Sequence, residues 1–276
     1  MRDLARVTMV VAVAIGCGLA QGAAPEKHVK DIRAEQPQAV ISASPLCQRA
    51  RAIGPYGYFH TREVNPATLE LDLSTLMQKS DEVVLAGSVS DETKAISPSG
   101  EDVVEYFDVK VLRTWKGSRK VGDLLTFAVP WAHVYCGLEP RPSNPIIGAN
   151  TYTGSFADWE GLGHWGPWVL FLRQSRGVEK QLVPGFRLAG ADGIQGLFLV
   201  RTEDDPTLYN CRDCNGILPG SVPKCNAVLD ASQAPVSVRY RLDPLKRKYD
   251  EMPLPNFLKE VQSVADSLGF TADSAK

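Results

Sequence analysis

The 276-residue sequence carries almost no net charge, a formal −2. It has no long Lys/Arg run either. Its one basic cluster, Lys246-Arg247-Lys248, is short and lies between Asp243 and Asp250. Both features argue against nucleic acid as a partner, because neutralising a phosphate backbone needs segregated positive charge. Beyond the first twenty residues no segment is long and apolar enough to span a bilayer. The catalytic signatures are missing too. There is no Gly-x-Ser-x-Gly elbow, no His-Glu-x-x-His helix, and no phosphate-cradling glycine loop followed by Lys-Ser/Thr. Asp158 and Glu160 lie near His164, but with 32 Asp and Glu in the chain such closeness is what chance supplies. No internal repeat is visible. These absences lead to the expectation of a non-enzyme with no cofactor.

The N-terminus is more informative. Arg2 and Arg6 precede an apolar run from Val7 to Ala20, and charge resumes at Glu26. That layout predicts a secretory signal peptide over residues 1–22, cleaved after Gly22, with Ala20 and Gly22 as the small residues at the recognition positions. An alternative is a lipobox at Ala14–Cys17, whose processing would leave a lipidated Cys17 and a membrane-anchored lipoprotein. The primary expectation is a secreted or periplasmic chain, with no membrane contact unless Cys17 is lipidated. Loss of the leader removes Arg2, Asp3 and Arg6 and shifts the formal charge from −2 to −3. Residues 23–46 are polar, lack aromatics, and read as a flexible lead-in.

Thereafter short strand patterns dominate. Leu69, Leu71 and Leu73 alternate with acids, and 74–80 reads as a short helix capped by Asp72 or Ser74. Residues 82–89 read as a strand. The clearest strand is 103–115, where Phe107, Val109 and Val111 fall on one face and Tyr106, Asp108 and Lys110 on the other. This period of two predicts an antiparallel sheet with one wet face. The Ser/Pro/Gly-rich link at 90–102 suits a hairpin loop. Further strands are predicted at 124–129, 168–172, 181–183, 196–200 and 236–242. A terminal helix begins at Pro255, shows Phe257, Val261, Val264 and Leu268 at helical spacing, and stops at Gly269. The sum is a mainly β fold, a sandwich or barrel.

Two regions invite functional readings. Residues 139–167 form a long stretch rich in Gly, Pro and Asn between two strands, and stretches of that length are usually functional. Trp131, His133, Trp159, His164 and Trp165 are the candidate binding residues on and beside it, since aromatics on glycine-rich loops stack on sugars or clasp peptides. The bland reading is a small core pinning the loop, which is assigned to Tyr135 and Trp168. Cys211, Cys214 and Cys225 fall within sixteen residues. Zinc would need these thiolates with His133 or His164 as the fourth ligand. A redox Cys-x-x-Cys would sit at a helix start, whereas Asn215, Gly216, Pro219 and Gly220 mark a loop. Disulfide stapling in an oxidising compartment is therefore the expectation.

Three pieces in order, 80–89, 106–129 and 134–137 with 168–172, resemble the netrin-like domain, the family that includes the tissue inhibitors of metalloproteinases. The resemblance implies a five-stranded OB-type barrel over about residues 47–183. Residues 184–276 would be a β-rich extension with a C-terminal helix, packed on the barrel. It also implies a bridge between Cys47 and Cys136, leaving three cysteines for one further bond and one thiol unpaired or joined to another chain. Inhibition in that family uses an N-terminal cysteine whose amine and carbonyl chelate the protease zinc. Cys47 lies inside the chain after either cleavage, so the fold resemblance does not carry that activity over. The functional expectation is an exported, non-catalytic module that binds a protein or glycan. The alternatives are a metalloprotease-inhibitor-like protein and an enzyme with its site on the 139–167 loop.

Overall fold

The computed structural model describes residues 36–53, 59–60, 70, 72–89, 93–100, 102–129, 133–137, 146–148, 167–190, 195–200, 222–232, 234–237 and 243–270. Residues 1–22, expected to be a signal peptide, and Cys17 among them lie outside the described residues.

Five strands close into a ring. They are β2 (Glu82–Ser88), β4 (Val103–Lys116), β5 (Leu124–Val129), β8 (Pro167–Gln174) and β9 (Phe186–Leu188). The ring runs β2–β4–β5–β9–β8 and back to β2. Numbered in chain order this is 1-2-3-5-4-1, the connectivity of an OB-type barrel. One pair, β5–β9, is parallel, so the purely antiparallel sheet expected from the sequence is corrected to a mixed one. The cause is topological: β9 returns antiparallel to β8, which fixes its direction alongside β5.

Alternation along β4 sets the inside of the barrel. Phe107, Val109 and Val111 point inward with Val84, Ala86, Leu125, Phe127, Trp168, Leu170, Leu172 and Leu188, all buried. Most of the opposite face is covered, with Lys110 partly exposed. Tyr106 and Asp108 are buried as well; Tyr106 packs with Val104, Ala95, Ala128 and Val183, and Asp108 accepts a 2.7 Å hydrogen bond from Thr126 Oγ1. Part of the expected hairpin loop is a strand, β3 (Thr93–Ile96), which prolongs β2 along the same edge of β4.

The residues expected to form a strand at 181–183 instead include a helical turn, α4 (Glu179–Leu182). The Glu179 carboxylate accepts from the Arg176 amide and from Arg173, which favours a turn over an extended chain. β10 (Leu197–Val200) lies along the same edge of β8 that β9 occupies further on. Gly196 marks the switch between them, and the Phe171 carbonyl occupies the place its Cβ would take.

Helices cover the outer face of β2, β4, β8 and β10. These are α3 (Leu73–Lys79), α5 (Val222–Ala231), α6 (Pro244–Tyr249) and α7 (Leu254–Ser267). Their apolar sides, with Phe257, Val261 and Tyr249 prominent, share one core with Val83, Leu85, Trp115, Phe171 and Phe198. Each fully buried large side chain contributes about 1.5–3 kcal/mol. Asp72 caps α3 by accepting from Thr75 N, 2.7 Å, and Pro255 opens α7, both as read from the sequence. Beyond the barrel, the described residues hold only β10 and the two-residue β11 (Val236–Ser237) against three helices. Within 184–276 the described residues thus place three helices beside the strands. The strand expected at 236–242 is present at its start as β11, and its remaining residues, 238–242, lie outside the described residues.

A third unit flanks the start of β4. α1 (Gln38–Ala43) and α2 (Pro45–Ile53) form within and just after the presumed lead-in. A small sheet joins β1 (Phe59–His60), β7 (Ile146–Gly148) and β6 (His133–Tyr135). Cys47 of α2 bonds Cys136 just after β6, with Cα atoms 5.2 Å apart. The bridge is buried with Ile41, Leu46, Ala50, Ile96, Val103 and Val134.

Candidate functional site at the barrel mouth

Strand directions bring one feature into focus. β5 ends at Val129 and β8 begins at Pro167, so the aromatic-rich segment leaves and returns at one end of the barrel. The same end carries the last residue of β2, Ser88, and the first residues of β4. Phe107 and Phe127 stack inside it with ring centroids 5.4 Å apart. Trp168 meets both edge-on, at 5.5 and 6.0 Å. Such pairs add about 0.5–1.5 kcal/mol each beyond burial. Trp168 is therefore a core residue, as the bland reading held.

Above this plug sits an ion pair. Glu105 lies in one register row with Val129 of β5 and Lys94 of β3. Lys94 Nζ stands 3.7 Å from Glu105 Oε1, and the two side chains are 34% and 12% exposed, so the rim charge is partly shielded from water. On the outer side of β4, burial pushes the Tyr106 hydroxyl up to about 12. The buried plug gives the mouth a rigid floor, and the charged rim above it offers charge-assisted hydrogen bonding to a ligand.

Of the candidate binding residues, Trp131, Trp159, His164 and Trp165 lie outside the described residues. The backbone of His133 is placed on β6 opposite Gly148. Cys211 and Cys214 also lie outside the described residues. Cys225 belongs to helix α5 rather than to a loop; the sequence signal missed there was Pro223 at the second helical position, which suits a helix start.

The environment of Cys47 bears on chelation. Its amide is a buried first-turn N–H of α2 that donates to Ser44 Oγ at 3.2 Å. The carbonyl of Cys136 accepts from Ser42 Oγ, 2.7 Å, and from Arg51. In this arrangement neither the amide nor the sulfur of Cys47 is presented to a partner. Elsewhere, Gln195 is fully buried and joins three elements: it bonds the Glu70 amide and carbonyl at 2.7 and 3.0 Å and donates to Asp243 Oδ2 at 2.9 Å. Asp243 caps α6, and Lys246 on that helix donates to the Leu197 carbonyl at 2.7 Å. Burial lowers the Lys246 ammonium to about 8, with Asp243 opposing. This network fastens α6 to β10. In the sequence Lys246 is one member of a short basic cluster, and nothing there marks it as buried.

Among the described residues no group of three or more His, Cys, Asp and Glu gathers at metal-binding distance, and no helix is long and apolar enough to cross a membrane. Compared with known families, curated proteins and solved structures, the chain matches none.

Proposed function

We propose that the protein is an exported, non-catalytic binding module whose partner, a protein or a glycan, is taken at the barrel mouth by the 139–167 loop. One observation carries the reading: both ends of the aromatic-rich segment are anchored at the mouth, over the Phe107–Phe127–Trp168 plug and beside the Glu105–Lys94 pair. A loop rooted on a rigid barrel positions recognition side chains without weakening the core. The 1-2-3-5-4-1 strand order and the Cys47–Cys136 bridge support the resemblance to netrin-like domains. Metalloprotease inhibition by that family's route would require a cut at Leu46–Cys47, which would break the first turn of α2. Sequencing the mature N-terminus tests that alternative, and an N-terminal Cys47 would favour it.

The binding reading is tested by immobilising the mature protein and exposing it to the fluid or envelope fraction of its native compartment. His164→Ala with Trp165→Ala abolishes retention of the partner while leaving the melting temperature unchanged. Unchanged retention with a lowered melting temperature would assign those residues to packing instead. Turnover of a retained molecule would overturn the non-catalytic reading.

A further inference from the structure

The end of the barrel opposite the mouth has a different surface. There β2 begins, β4 ends, β5 begins, β8 ends and β9 begins, so the turns at 117–123 and 175–185 share it. Residues 81–82, 116–124 and 173–187 hold seven Lys/Arg against four Asp/Glu, in a chain whose formal charge is −2. The acids are engaged in the fold. Glu82 is buried beneath the 117–119 turn and accepts from Ser118 N and Oγ at 3.0 and 3.1 Å. Asp81 accepts from Gln174 N, 2.8 Å, and Asp123 from Lys120 N, 2.8 Å. Glu179 gathers Arg173 and, at 3.6 Å, Arg187. Positive charge dominates outward: the Arg176 side chain is 74% exposed even while it reaches Asp81, and Lys120 and Lys180 are exposed.

Among the described residues three large hydrophobic side chains are exposed, and two of them stand at this end, Val178 at 83% and Leu124 at 57%. Val178 sits between Arg176 and Lys180 at the tip of its turn. The surroundings are open, since a side chain added at Gly122, Gly177 or Gly185 would meet no atom within 4 Å. Turn tips that project this way provide no walls for a peptide groove. Apolar tips spaced among cations match a plane of anionic headgroups over an acyl boundary.

We infer that this end of the barrel docks on a bilayer surface carrying anionic phospholipid. Arg176, Lys180 and Lys120 face the headgroups, and Val178 and Leu124 reach the acyl boundary. Docked so, the protein holds its mouth away from the membrane. The inference rests on this surface alone and does not depend on the reading of the mouth.

The test is co-sedimentation of the processed protein with vesicles. It is made from a Cys17→Ser precursor so that no acyl chain can anchor it. Vesicles of phosphatidylcholine with about 30 mol% phosphatidylglycerol retain it, pure phosphatidylcholine does not, and retention falls as salt rises. Arg176→Ala with Lys180→Ala lowers partitioning roughly 25-fold, and Val178→Asp lowers it independently. Lys259→Ala, on α7, leaves it within about twofold. Equal melting temperatures show that these exposed variants fold. Absence of vesicle binding, indifference to Arg176, Lys180 and Val178, or retention on a soluble polyanion such as heparin without vesicle binding would each overturn the inference. The last outcome would assign the patch to an anionic glycan.

Discussion

Gly117 and Glu82 form a pair whose energetics follow directly from their geometry. Gly117 has φ +111°, and the Glu82 carboxylate occupies the place where an alanine Cβ would stand. That carboxylate is buried and accepts from Ser118 N, Ser118 Oγ and Arg119 N at 3.0, 3.1 and 3.4 Å. In Gly117→Ala the backbone strain costs about 1–2 kcal/mol. Displacing the carboxylate from its partners costs about 1.5–3 kcal/mol more. The single variant should therefore lose about 2.5–5 kcal/mol. In a Glu82→Ala background the carboxylate is already gone, so Gly117→Ala should cost only the strain, about 1–2 kcal/mol. Urea unfolding of the four proteins gives the coupling energy, expected at about 1.5–3 kcal/mol. Costs that add to within about 0.5 kcal/mol would refute the claim that Glu82 clamps this turn.

Three other outcomes are expected. Replacing Cys47 and Cys136 together by serine opens a closed loop of 89 residues and should cost about 4–5 kcal/mol in the chain-entropy account. The melting temperature should then fall roughly 8–20 °C; a loss near zero would show that the bridge does not constrain the unfolded chain. Lys246 gives a pH signature: between pH 8 and 10 the unfolded lysine still holds a proton that the folded one, at about 8, has released, so stability should rise with pH there. Lys246→Met should remove that rise, and identical pH profiles for the two proteins would contradict the burial argument. Tyr106, at about 12, acts in the opposite sense and only above pH 10. Trp168→Ala should cost about 3–5 kcal/mol and erase near-ultraviolet dichroism from the Phe107–Phe127–Trp168 group, whereas a loss below about 1 kcal/mol would deny it a core role.

Much of the barrel was legible because its chemistry is local. Alternation in 103–115 placed Phe107, Val109 and Val111 inside, and Asp72 and Pro255 announced their helices. What the sequence concealed depends on tertiary company. Tyr106 and Asp108 alternate like solvent-facing residues, but Val183 and Thr126 come from distant segments to cover and satisfy them. Lys246 sits in a charged tripeptide, and only the docking of α6 on β10 buries it. Residues 181–183 have strand-like neighbours, while the Glu179 carboxylate holds the chain in a turn. The mouth was half visible. Its aromatic loop stood out by composition, but the Glu105–Lys94 rim required the register of β3 on β4.

The central claim is recognition at the mouth, and site-specific photo-crosslinking addresses it most directly. A photoreactive phenylalanine at position 165, in the 139–167 segment, is compared with one at Gln262, half-buried on α7, a helix that packs on the outer face of the barrel. In the native compartment, position 165 should yield one discrete adduct that Trp159→Ala and His164→Ala abolish, and position 262 should yield none. The same adduct from both positions, or none from 165 while the protein remains folded with its Cys47–Cys136 bridge intact, would contradict the account.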